Sequence, residues 1–228
     1  MRMLARGVKQ GAREGGRIAG FVIGTKKELS REEAMAKTIV ALFLDGWADW
    51  EAGPALAGLR EWLGGAEVTA ATLDGRPVRS IGGLTLQPDR ALGDLDPTAA
   101  DMLILVGSDV WWQQGPLLPV TAAVQARARA GRPTAGICAG TLALAQAGLL
   151  DDRPHTSNSL QFLTKYAPAY RGQAQYQERP SVGDGQVITA PGTAPIAFAA
   201  TIFRTLAPEQ EETIAQFERM FALEHKSA

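Results

Sequence analysis

The sequence predicts an α/β protein in which a mostly parallel sheet carries helices on both faces and a nucleophile sits on the turn after one strand. Three observations carry this. Short continuous apolar runs, TIVALFL at 38–44, VTAATL at 68–73 and MLILVG at 102–107, have the composition of strands buried on both faces. The segments between them repeat apolar residues at intervals of three and four, the period of a helix packed by one face. Finally, PTAGICAGTLALAQAGLL passes from a β-prone stretch into an apolar helix at a single cysteine, Cys138.

Taken in order, the first strand ends at Asp45-Gly46, turn residues that hand over to a helix from Trp50 to Leu63. After the second strand, VRSIGGLTLQ alternates about a Gly-Gly pair and predicts a hairpin within 76–86. The third strand ends at Gly107 and is followed by a helix from Val120 to Ala130. A fourth strand leads into Cys138. Residues 176–190 predict a second hairpin about Asp184-Gly185, and two helices, 194–206 and 209–223, close the chain, with Pro208 near the start of the last.

Composition excludes several classes. The net charge of −1 leaves no electrostatic footprint for nucleic acid or an anionic membrane surface. No apolar stretch reaches the roughly 18 residues of a membrane span. With one cysteine in 228 residues, an intramolecular disulfide is impossible and a thiolate metal cluster is excluded, which fits a reducing cytoplasm. No metal or cofactor is expected. The 46% hydrophobic content suffices for one domain over 35–228. Residues 1–34 differ in kind: eight basic residues stand against four acidic ones, and glycines break every helical stripe, so a flexible basic extension is expected. Two readings of it stay open, a start of translation at Met35 and a basic targeting tail.

Ligands of open α/β sheets bind beyond the carboxyl ends of the strands. That rule selects Asp45 to Glu51, Gly107 to Trp112 and Gly136 to Thr141. Cys138 has the setting of a nucleophile elbow, where a sharp turn presents the side chain and small neighbours, here Gly136, Ala139 and Gly140, let backbones approach. A helix starting there would favour thiolate over thiol. Backbone donors for an oxyanion are expected from Gly107, Ser108 and Ala139, and Trp47, Trp111 and Trp112 are expected around the pocket or at a subunit contact.

The I-C-A-G-T elbow, the glutamate of DGWADWE and the later APGTAPIAFA together resemble the ThiJ/PfpI superfamily over residues 38–207. The resemblance implies a three-layer sandwich of flavodoxin-like type and a homodimer. It also implies a carboxyl–thiol pair, Glu51 with Cys138, in which a protonated Glu51 donates to sulfur because an ionised one would repel a thiolate. Members of this superfamily include cysteine-dependent glyoxalases, deglycases, peptidases and chaperones. Peptidase-like members carry a histidine after the nucleophile, where this chain has Ala139, and class I amidotransferases use a downstream His-x-Glu that is missing here. Both activities are disfavoured. In HTSNS, Asn158 stands where related members place a histidine, with His155 three residues earlier as a substitute general base; His225, in the C-terminal tail, is expected to be inert. RPHTSNSLQFL also resembles bacterial subgroup members.

Two functions follow. The first is a cysteine-dependent enzyme, hydrolase- or lyase-like, acting on a small carbonyl or amide-like electrophile such as an α-oxoaldehyde or an early glycation adduct. The second is a redox or stress-response protein whose Cys138 is oxidised without turnover.

Overall fold

The computed structural model describes residues 36–222; the extension 1–34 and His225 lie outside the described residues. The chain runs through β1 (Thr38–Leu42), α1 (Asp49–Glu61), β2 (Glu67–Thr72), β3 (Val78–Arg79), β4 (Thr85–Leu86), β5 (Arg90–Ala91), β6 (Met102–Leu105), α2 (Val110–Gln113), α3 (Leu118–Arg129) and β7 (Thr134–Ile137). It continues through α4 (Thr141–Gln146), α5 (Leu160–Tyr166), β8 (Val182–Gly183), β9 (Val187–Ala190), α6 (Pro195–Leu206) and α7 (Glu211–Ala222). Seven strands form one sheet in the order β5-β2-β1-β6-β7-β9-β8, with only the edge strand β8 antiparallel. This is the α/β sandwich of flavodoxin-like type that the resemblance implies.

The alternation of side chains along each strand builds two cores. Ile39, Ala41 and Phe43 face α1, α6 and α7 together with Met102, Ile104 and Val106. Leu42 and Leu44 face the other way with Leu103 and Leu105, against Trp111, Val124 and Leu144. Each such large side chain, fully buried, contributes about 1.5–3 kcal/mol relative to exposure, and the first core fixes α1 tightly on α6. A β-carbon added at Gly58 of α1 would overlap the Phe203 ring of α6, and Phe203 in turn packs on Phe217 of α7 at 5.0 Å.

Two expectations about elements need correction. The hairpin expected from residue 176 begins only at Val182, because Pro180 has no N–H for a ladder and the chain before it makes a separate bridge, Tyr176 to His155. The helix expected directly at Cys138 is preceded by a 3-10 turn over Cys138–Gly140, so α4 has only six residues before Gly148 ends it at φ +76°.

The strand order reverses direction of growth at β1: β2 lies on one side of it and β6 on the other. That switch point opens a crevice at the carboxyl ends of the parallel strands. Into it run the loops after β1, β6, β7 and β9.

Candidate active site

Cys138 follows β7 with φ +56°, the only positive φ outside glycine among the described residues. An L-residue in this region is strained by about 1–2 kcal/mol, and the surroundings hold it there. A β-carbon at Gly140 would overlap Leu105 O, and one at Gly136 would lie 2.9 Å from Leu144 Cδ1 and 3.0 Å from Gly140 O. The small residues around the elbow thus let the turn sit directly on β6 and α4. Thr141 Oγ1 donates to Cys138 O at 2.6 Å and lies 2.7 Å from Ser157 Oγ. The elbow is thereby tied to the 155–159 loop.

Glu51, in the first turn of α1, is completely buried. Its Oε2 accepts the Gly107 N–H at 2.7 Å. Its Oε1 is buried without a hydrogen-bond partner among the described residues, close to the Cys138 thiol. Gly192, after β9, makes this approach possible: a β-carbon there would lie 2.8 Å from Glu51 Oε1 and 2.9 Å from Cys138 Sγ. Asn158 completes the group. Its Nδ2 donates to Cys138 Sγ at 3.2 Å, and its Oδ1 accepts the Gly192 N–H at 2.9 Å, which fixes the amide orientation. Trp50 Nε1 donates to Gly192 O at 2.9 Å, so a half-exposed indole spans the mouth of the site.

Burial pushes Glu51 up to about 7, with the thiol and the Gly107 amide pulling the other way. Burial also pushes the Cys138 thiol up to about 12, and the negative charge of Glu51 adds to it against the Asn158 and Ala139 amides. This corrects the expectation of a thiolate favoured by a helix start. A six-residue helix behind a 3-10 turn brings too small a dipole to offset desolvation and a neighbouring carboxylate.

The remaining expected residues divide. The Ala139 amide lies near the sulfur and pulls its pKa down. Gly107 is at the site, but its N–H is committed to Glu51 rather than open to an oxyanion. Ser108 is buried beside it, with Oγ donating to Asp45 O and accepting from Val110 N at 3.1 Å. His155 is not brought to the sulfur. Its Nδ1 meets Arg153 O at 2.8 Å, where it can only donate, so Nε2 accepts from the Tyr170 hydroxyl at 2.5 Å. Burial lowers its pKa and keeps it neutral. Trp111 is a core residue whose Nε1 donates to Val106 O at 2.8 Å, Trp47 packs edge-on to Phe43 in the other core, and Trp112 packs against Phe162 and Tyr166. Trp50 and Gly192 stand beside the sulfur instead, joined by the indole hydrogen bond. Gly192 carries the same strand-end signal as the expected residues, but in the sequence it follows a segment with the pattern of a hairpin.

Beyond Asn158 the crevice widens into an open cleft of about 530 Å³. No described helix is long and apolar enough to cross a membrane.

Known proteins carry the same architecture. A family model described as the DJ-1/PfpI family matches residues 36–205. A Bacillus subtilis (strain 168) protein named uncharacterized protease YdeA is 32% identical over 187 residues, 81% of this chain and 90% of its own. Another from the same organism, uncharacterized protease YoaZ, is 29% identical over 179 residues, 76% of this chain and 85% of its own. The crystal structure of a DJ-1 superfamily protein from Agrobacterium tumefaciens matches with a TM-score of 0.74 at 39% identity, covering 83% of this chain and 100% of that one. With its fold shared and the family model matched over three quarters of its length, the chain belongs to the DJ-1/PfpI family.

Proposed function

We propose that this protein is a cysteine-dependent enzyme acting on a small carbonyl or amide-like electrophile. The observation that carries the reading is the arrangement of Glu51, Asn158 and the Ala139 amide around the strained Cys138. A thiol pushed up to about 12 is stored as S–H, and a carboxyl near 7 beside it is the base that takes its proton as the carbon–sulfur bond forms.

For an α-oxoaldehyde, sulfur adds to the aldehyde carbon, and the thiol proton passes through Glu51 to the new oxygen, giving a hemithioacetal. Glu51 then removes the proton from that carbon and delivers it to the adjacent carbonyl carbon, while the hydroxyl proton passes to the former carbonyl oxygen, leaving the thioester of a 2-hydroxy acid. Water cleaves the thioester, regenerates the thiol and releases the acid, so the net change is addition of one water with no oxidant. In this reading Asn158 Nδ2, which donates to the sulfur, and the nearby Ala139 N–H hold the oxygen that becomes charged.

The relatives named as proteases raise peptide hydrolysis as a variant of the same chemistry. Ala139 stands where that activity calls for a histidine, and His155 is engaged with Tyr170, which weighs against it. The thiolate is also the form that peroxide oxidises, so the redox reading needs the same proton transfer to Glu51 that the enzymatic one does. The test is methylglyoxal turnover, followed as 2-hydroxy acid formed. Cys138→Ala is expected to lose it entirely; a variant retaining wild-type turnover would overturn the reading.

A further inference from the structure

The cleft that continues from Asn158 is bounded by the segment before β8 and the loop after β9. A tight turn, with Arg179 N–H donating to Gln177 O at 3.0 Å, sets Glu178 and Arg179 side by side on its wall. Both are exposed, and neither joins an ion pair within 4 Å among the described residues. Pro180 and Pro191 stiffen the two walls, while Tyr176 and Thr193 line them with hydroxyls. Tyr176 is itself held, its hydroxyl donating to Ser157 O at 3.3 Å, one residue from Asn158.

We infer that this cleft binds a free α-amino acid end, with the carboxylate at Arg179 and the ammonium at Glu178, and that the substrate presents its electrophile to Cys138 from the other end. A cleft carrying one charge of each sign gives no net attraction to a simple anion or cation, whereas a zwitterion meets both. Its volume lies within the range of pockets that enclose small molecules. The orientation towards Cys138 rests on the enzymatic reading above; binding of the amino acid end does not.

The test uses the full-length Cys138→Ala protein, so that no turnover intervenes, with L-norleucine, its methyl ester and its N-acetyl derivative as probes titrated by nuclear magnetic resonance. Norleucine is expected to bind at least tenfold more tightly than either derivative. Arg179→Ala is expected to erase the preference over the ester, and Glu178→Gln the preference over the N-acetyl compound. Equal binding of all three, binding of none, or preferences unchanged in the two variants would overturn the inference. A zwitterion preference in a protein whose wild type shows no cysteine-dependent turnover would sink the enzymatic reading alone, and turnover without the preference would sink this one alone.

Discussion

Glu51 has one oxygen fixed by Gly107 and the other left to the thiol, and its burial brings its titration to about 7. With Glu51 as the base of the proposed reaction, kcat/KM is expected to rise with pH to a plateau with a midpoint near 7. Glu51→Gln should lower the plateau by roughly 10²–10⁴-fold and remove that limb; a pH–rate profile measured on both proteins checks it. At this scale the sequence was informative where backbone geometry dictates composition. The small residues flanking Cys138 announce the turn, and Glu51 follows the first strand as the switch-point rule requires. Indole and imidazole side chains were less legible: Trp111 and His155 have the same polar tips as site residues, and only tertiary packing turned them inward.

At the scale of elements, the 155–159 loop is the part that positions Asn158. Each of its residues is bound elsewhere: Thr156 N–H to Thr189 Oγ1, Ser157 Oγ to Thr141 Oγ1, and Ser159 Oγ caps α5 by accepting the Phe162 N–H. His155 anchors the start of this loop through Arg153 and Tyr170 and stacks edge-on against Tyr170 and Tyr176. Its role is therefore structural. His155→Phe should cost roughly 1–3 kcal/mol of stability by leaving the Tyr170 hydroxyl and Arg153 carbonyl unpaired, read as a lower denaturation midpoint. The shape of the pH–rate profile should not change. The strands and helices themselves were largely readable from periodicity, because parallel strands buried on both faces have no other pattern available. The two-residue strands β3, β4, β5 and β8 are too short to carry one; β5 went unseen, and β8 was placed only by its Asp-Gly turn.

For the whole molecule, the same carboxyl links folding to pH. The native state holds Glu51 protonated up to about 7, whereas the unfolded chain releases that proton near 4.5. Below 4.5 the two states bind the proton alike. Between 4.5 and 7 the unfolded state alone ionises, so stability falls as pH rises, by roughly 3 kcal/mol in all. Chemical denaturation from pH 4.5 to 8 should show this decline in the wild type and its loss in Glu51→Gln, leaving the variant the more stable protein above pH 7. The packing of α1 on α6 through Gly58 and Phe203 sustains the burial that makes this so, since it holds Glu51 beside the loop that carries Gly192.

The left-handed backbone at Cys138 sets reactivity and robustness in opposition within one residue. Glycine alone adopts φ +56° freely, so the position that needs a thiol for chemistry would fold best with no side chain at all. Cys138→Gly is therefore expected to melt at a higher temperature than Cys138→Ala, which keeps a β-carbon in the strained turn, a difference calorimetry can read directly. A cysteine here gives up stability for a side chain that the proposed chemistry requires.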